Sequence, residues 1–504
     1  MARLFRLGLV LLAGLALACT TAVNPATGQR EVVLMSPEEE QRADEEATRE
    51  IAESMGVVGE SPLSDYVQGL GVQLARFSPR QDLDYHFDIV EMDEPNAFAL
   101  PGGHIYVSRG LLVLANTEAE LSHVLGHEIA HVAARHHART DAHMKTLGIA
   151  TLISELIGGG GASHPDDTGE HETAGASPLA RYARNQERQA DRIGQDIAAR
   201  AGIEPGGMAR FLTSLDNYTK LDLGFSLPQT YFATHPALRE RMADAAARAH
   251  AEAWRLGGGD AARGFQSLRA AREAYFDHIE GMAVTRPASE GVIEDNRFLH
   301  ADLDFGLRFP HDWEPRNGAS SVAAFAPKRD GAVILELQGP GSDPAAAARA
   351  YAEREKLRLQ QGLELSIGAL PAYRAQTVLP APYGGIPAEI TWIVHGELIY
   401  RLTGGVRGGP LKTYQTQFRR FAQSFRPLSP EDRASIRELR LRTARAEPGE
   451  TLIQLSKRTG NEWDPTFTSV VNGIFSHEAL DPGQRIKIAV KEPYLAKVDS
   501  APLR

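Results

Sequence analysis

The sequence predicts an α+β multidomain chain: a mainly helical N-terminal half with a small edge sheet, an α+β domain, and a small C-terminal βααβ module. Three observations carry this. Apolar residues recur at helical spacing through most of residues 36–285, most clearly from Asn116 to Arg139. From Phe298 to Arg426 the pattern changes to alternating strands broken by one or two helices. Residues 443–490 then read strand, helix, helix, strand, with turn residues at each junction. A length of 504 residues is enough for about three such domains. The net charge of −11 is spread along the chain, and no basic stripe with interleaved aromatics offsets it, which argues against nucleic acid as a partner.

Arg3 and Arg6 precede an apolar run, Leu7 to Ala18, that is too short to span a bilayer and fits the core of a signal peptide (1–18). Cys19 follows directly and is the only cysteine, so no disulfide forms within the chain and metal ligands must be histidine or carboxylate. Leu15-Ala16-Leu17-Ala18-Cys19 resembles a bacterial lipobox, which implies lipidation of Cys19; Ala16 departs from the larger aliphatic usual there. The alternative is plain secretion. Residues 19–35, with turn signals at Asn24-Pro25 and Thr27-Gly28, read as a tether.

Ser36, Pro37 and Glu39 open a helix that runs to about Met55, and Ser64 to Phe77 forms a second. Tyr85 to Glu91 alternates as a strand. Asn96 to Val107 reads as two short strands around Pro101-Gly102-Gly103. Asn96, Ala97 and Phe98 would then lie on an open edge to which an extended peptide could add as a further strand.

Asn116 to Arg139 reads as one helix, with a capping pattern at Thr117 and Glu120 and an apolar face of Leu121, Leu125, Ile129 and Val132. His127 and His131, four apart, project from one side, with Glu128 beside them. This is HExxH, in which two imidazoles hold zinc and the glutamate activates water. His136 and His137 read as exposed residues suited to the dipole at the helix end. Leu147 to Ile157 is apolar but too short to cross a membrane. Gly158 to Ala176, with His164 and His171, reads as a loop. Ser177-Pro178 opens a long helix that stops at Gly202 and places Glu187 and Asp191 on one face. Thr234-His235-Pro236 lies in a loop before further Ala-rich helices.

HEIAH together with the Arg184, Glu187, Ala190, Asp191 pattern resembles the zinc metallopeptidases of the HtpX and CAAX prenyl protease family. Asn96 to Gly103 before the helix, and Thr234-His235-Pro236 with Arg241 after it, resemble the periplasmic BepA-like branch. The resemblance implies a zinc metallopeptidase domain over 36–285 with one Zn²⁺ per chain, held by His127, His131 and Glu187, and Glu128 as the base. Asp191 is then suited to hold an imidazole in its tautomer. The resemblance also implies that the loop of His235 lies over the metal. There His235 either takes the place of water or, with Arg241, stabilises the oxyanion.

Residues 296–428 resemble PsbP or DcrB-like folds through Phe305 to Trp313 and Phe418 to Leu428, with Trp313 and Trp392 as core residues. Residues 443–492 resemble a LysM module, which implies contact with peptidoglycan. The function implied is a lipid-anchored zinc endopeptidase of the bacterial periplasm, at the outer membrane, acting on unfolded or misfolded envelope proteins. The rivals are an assembly factor for outer-membrane proteins with latent proteolysis, and a cell-wall binder whose peptidase acts on wall partners.

Overall fold

A computed structural model describes residues 20–23, 28, 30–33, 35–136, 178–221, 235, 238–255, 261–381, 384–474 and 478–494. The signal segment with Cys19, most of the tether, His137, 147–157, 158–176 with His164 and His171, and Thr234 and Pro236 lie outside the described residues. No described helix is long and apolar enough to cross a membrane. The chain divides into two compact units, Met1–Thr285 with Arg440–Val490, and Arg286–Leu439 with Lys491–Arg504. The fold class is α+β.

In the first unit, strands β1 (Thr20–Val23) and β2 (Arg30–Val33) pair antiparallel. Helix α1 (Pro37–Ser54) starts with the Ser36–Glu39 capping box that the sequence implies. Its buried face carries two carboxylates, Glu40 and Asp44, besides Ala47 and Ile51. Helix α2 (Pro62–Ala75) begins two residues earlier than expected, at an N-cap on Ser61. Strands β3 (His86–Val90), β4 (Ala97–Ala99) and β5 (His104–Ser108) form a sheet in the order β3-β5-β4. Strand β4 is therefore an edge, antiparallel to β5. The intervening Pro-Gly-Gly turn is pinned by Asp44, whose Oδ1 accepts the Gly102 N–H at 2.8 Å. A side chain on Gly102 would collide with Asp44, its Cβ lying 2.7 Å from the Asp44 Cβ.

Helix α3 (Arg109–Leu114) leads into α4 (Glu118–Ala133), capped by Thr117, whose Oγ1 accepts from the Glu120 N–H. The expected single apolar face is a correction: α4 is buried on all sides from Glu120 onward. The helix also stops short of Arg139. Arg135 adopts a left-handed conformation (φ 54°) and turns the chain back, held by two hydrogen bonds to Glu40 at 2.8 and 2.9 Å. Helices α5 (Pro178–Arg200) and α6 (Gly207–Thr219) pack on α4. Helices α7 (Leu238–Arg255) and α8 (Ala261–Ile279) follow.

The second unit contains a seven-stranded sheet and a four-stranded sheet. The larger sheet is antiparallel and includes Gly331–Pro340, Leu370–Leu379, Ile386–His395 and Leu398–Val406. Helix α9 (Pro344–Arg354) packs on it through Ala348, which shares a cluster with Trp392. Trp313 and Trp392 are core residues, 8% and 0% exposed, as the sequence implies.

The chain returns to the first unit at Arg440, within the strand Arg437–Arg445, and continues with helices Leu452–Thr459 and Pro465–Asn472 and the strand Arg485–Pro493, a βααβ order. Gly460 and Gly473 close the two helices in left-handed conformation. The module has its own apolar cluster around Leu452, Leu455, Ile486 and Ile488. Lys487 leaves that cluster: it is fully buried, and its Nζ donates to the Val113 and Ala115 carbonyls at 2.5 and 2.8 Å, at the C-terminal end of α3.

Candidate active site

Helices α4 and α5 approach closely because both carry glycine at the crossing. A Cβ on Gly194 would sit 2.7 Å from the His127 amide nitrogen, and one on Gly126 would sit 2.9 Å from the Gly194 carbonyl. This contact brings the Glu187 face of α5 onto the His127 and His131 face of α4. His127 Nε2 and His131 Nε2 lie 2.9 Å apart. Glu187 Oε2 is 3.5 Å from His127 Nε2, and its Oε1 is 3.4 Å from His131 Nε2.

His235 completes the group. Its Nδ1 stands 3.3 Å from His127 Nε2 and 3.0 Å from Glu187 Oε2. One donor atom from each of His127, His131, Glu187 and His235 lies within 4.8 Å of the others, and all four residues are buried. Ligand distances of about 2.0–2.2 Å place the donors of a tetrahedral zinc site roughly 3.3 Å apart. The separations of 2.9 to 3.5 Å bracket that figure. Two imidazole nitrogens facing each other across 2.9 Å, with a carboxylate beside them, are a donor set that fits a divalent cation.

The electrostatics agree. Burial pushes the Glu187 carboxyl up, but the surrounding imidazoles overcome it and hold it well below its ordinary value. Burial lowers the His127 ring, yet Asp191 and Glu187 outweigh this and raise it to about 9; a field that favours a proton there also favours a cation. Burial pulls His131 well below its ordinary value, leaving a neutral ring, the form in which imidazole binds a metal. Glu128 is 1% exposed and burial pushes its carboxyl up, towards the range useful to a base near neutral pH. Its Oε1 lies 3.5 Å from His235 Nε2.

Asp191 Oδ1 lies 2.8 Å from His127 Nδ1, fixing Nε2 as the nitrogen that faces the other donors. Arg241 is fully buried and places Nη1 2.9 Å from Glu187 Oε2. It also donates to both Asp191 oxygens and to the His235 carbonyl, at 2.7, 2.7 and 3.3 Å. Arg241 thus holds two carboxylates and the backbone of His235.

The sequence missed His136. It was expected to be exposed; it is 2% exposed, with Nδ1 3.1 Å from His131 Nδ1 and Nε2 3.0 Å from Gln189 Oε1. Burial takes its ring down to about 4. The left-handed turn at Arg135 folds it under the helix, and nothing local in the sequence signals that turn. Asn96, Ala97 and Phe98 lie beside α4 on the β4 edge, but the residues are only 1%, 0% and 8% exposed.

Residues 63–249 match peptidase family M48. The beta-barrel assembly-enhancing protease of Escherichia coli (strain K12) is 29% identical over 207 residues, 40% of this chain and 42% of the relative. The putative beta-barrel assembly-enhancing protease of Vibrio cholerae is 31% identical over 207 residues, with the same shares. Mitochondrial metalloendopeptidase OMA1 of Schizosaccharomyces pombe is 26% identical over 223 residues, 43% of this chain and 63% of the relative. The chain thus spans less than half the length of its bacterial relatives. Among solved structures, cyanobacterial PsbP from Synechocystis covers 27% of this chain and 95% of its own, at 10% identity and a TM-score of 0.23. The chain therefore carries a peptidase family M48 domain, a metallopeptidase domain like that of the beta-barrel assembly-enhancing proteases.

Proposed function

We propose that the chain is a zinc-dependent endopeptidase of the bacterial envelope, and that the described conformation is its closed, latent state. The observation that supports this best is the buried group His127, His131, Glu187 and His235 with Glu128 alongside. Zinc held by His127, His131 and Glu187 would supply Lewis acidity and a nucleophile at neutral pH. Glu128 would take the proton of the attacking water and pass it to the leaving amine. Asp191 keeps His127 in the tautomer that presents Nε2. Arg241 keeps Glu187 and Asp191 ionised and in place. The substrate would enter as an extended strand on β4, paired through main-chain hydrogen bonds. His235 Nδ1, 3.0 Å from Glu187 Oε2, would then take the position that the attacking water needs and would have to withdraw before hydrolysis.

The relatives' names support substrates among outer-membrane or other envelope proteins, unfolded or misfolded. The sequence supports export, a lipid anchor at Cys19 and residence at the outer membrane. The LysM-like module supports contact with peptidoglycan. A second reading, an assembly factor in which proteolysis is mostly suppressed, is favoured by the same placement of His235.

Glu128→Gln decides the chemistry. It should retain about one zinc per chain and lose casein hydrolysis, since Glu128 is a base and not a ligand. Undiminished hydrolysis by that variant would sink the mechanism. Hydrolysis of casein measured beside binding to purified sacculi separates protease, assembly factor and wall binder.

A further inference from the structure

His136 lies buried against His131 and takes no part in the mechanism above. Two helices hold it there. From α1, Glu40 accepts two hydrogen bonds from Arg135 at 2.8 and 2.9 Å, which fixes the left-handed turn (φ 54°) that carries the next residue inward. Glu40 is itself buried and also accepts from Arg80 at 3.1 Å. From α5, Gln186 Nε2 donates to the His136 carbonyl at 3.4 Å, and Gln189 Oε1 lies 3.0 Å from the ring Nε2. The two glutamines flank Glu187 on the helix that carries it.

The protons on these rings follow in order. His131 Nε2 faces His127 Nε2 at 2.9 Å and Glu187 Oε1 at 3.4 Å. A ring nitrogen that binds a metal offers a lone pair and carries no proton, so His131 holds its proton at Nδ1. His136 Nδ1, 3.1 Å away, accepts that hydrogen bond and is itself bare. His136 is then protonated at Nε2, and that N–H donates to Gln189 Oε1 at 3.0 Å. Every donor in the series meets an acceptor.

The opposite order fails. A proton on His136 Nδ1 would either meet the Nδ1–H of His131 head on or move that proton to Nε2, where it would cover the lone pair on the metal side. The arrangement parallels that of His127, whose Nδ1 meets Asp191 Oδ1 at 2.8 Å. Behind His127 the acceptor is a carboxylate. Behind His131 it is a second imidazole, backed by an amide.

We propose that His136 is a positioning residue of the metal site. Its Nδ1 takes the Nδ1 hydrogen bond of His131, and Gln189 fixes His136 in the tautomer that can do so. His131 is thereby held with the Nε2 lone pair towards His127 and Glu187. The proposal rests on the zinc reading above and concerns the residues behind His131, which touch neither substrate nor metal.

The test is the zinc affinity of the full chain, measured by competition with a chromogenic chelator at neutral pH. His136→Phe keeps a ring in the space but offers no acceptor, and should weaken zinc binding about 10- to 100-fold. His136→Asn is smaller but brings an amide oxygen close to where Nδ1 stood, and should bind zinc at least about threefold more tightly than His136→Phe. If His136 only fills space the order reverses, because Phe fills it better. Gln189→Leu, at a half-buried position of α5, should weaken zinc binding with an unchanged circular dichroism spectrum. The zinc-loaded wild type decides independently of any substitution: a two-bond nitrogen–proton NMR spectrum should show the His136 proton at Nε2. A proton at His136 Nδ1 would overturn the proposal, as would unchanged affinity in His136→Phe or Gln189→Leu, or tighter binding by His136→Phe than by His136→Asn. A wild-type chain that takes up no zinc would overturn the zinc reading, and this proposal with it.

Discussion

Arg241 grips Asp191 with two hydrogen bonds of 2.7 Å, and the gripped carboxylate reaches His127 Nδ1 at 2.8 Å. Burial pushes the Asp191 carboxyl up, but Arg241 and His127 overcome it and hold the group below its ordinary value. The chain of contacts passes from α7 through α5 to α4, so a residue that touches no substrate sets how His127 presents its Nε2.

This predicts a split between two variants. Asp191→Asn keeps the shape but weakens the hold on His127, and should lower zinc affinity by about 10- to 100-fold in competition with a chelator. Arg241→Ala removes the partner of two buried carboxylates and should cost about 3–5 kcal/mol in urea unfolding. A loss of zinc affinity in neither variant would show that the contact is incidental.

The crossing of α4 and α5 yields a second prediction. Gly194→Ala forces a methyl against the His127 amide nitrogen, where only 2.7 Å is available. Backbone cannot give way as a flexible side chain can, so the helices must separate. We expect a loss of about 1–3 kcal/mol in stability and a larger loss in zinc affinity, since Glu187 moves with α5. Normal zinc content and activity in Gly194→Ala would contradict the close-packed crossing.

What the sequence made legible follows from local periodicity. His127, Glu128 and His131 share a helix, as do Glu187 and Asp191, so their relative directions follow from residues four apart. The capping boxes and the Pro-Gly-Gly turn are equally local. What stayed hidden depends on partners far along the chain. His136 is turned inward because Arg135 is held by Glu40. Arg241 is buried because its carboxylate partners wait on α5. Lys487 lies in the last strand of the βααβ module, and only the end of α3 explains its burial.

A third prediction concerns pH and the second unit. The His300 ring packs against Phe305 and Phe298, and its Nδ1 accepts the Leu303 N–H at 3.2 Å, which requires an unprotonated Nδ1. Burial lowers the ring to about 4. An unfolded histidine titrates near ~6.5. Between these values the unfolded chain takes the proton and the folded chain does not, so stability falls as pH drops through that window and is flat above it. The expected loss is on the order of 2 kcal/mol. His300→Asn keeps an acceptor for Leu303 and removes the titration, so the stability difference between pH 7 and pH 4.5 should shrink. An identical pH dependence in the variant would rule out His300 as its source.

The last prediction concerns His235, whose two nitrogens face different partners. Nδ1 lies among the metal-site donors, 3.0 Å from Glu187, while Nε2 lies 3.5 Å from Glu128. On the proposed reading the ring takes the place of the attacking water and shields the base that would activate it. Its carbonyl accepts from Arg241, which also holds Glu187 and Asp191. Oxyanion stabilisation would require His235 to face a substrate oxygen, which its packing against His127 and Glu128 does not allow without loop movement. Latency is the role proposed for it. His235→Ala should raise hydrolysis of an unfolded substrate such as casein, with zinc content unchanged. If the loop instead swings to serve the oxyanion, kcat should fall on the order of 10²-fold or more. Wild-type rates in His235→Ala would exclude both roles.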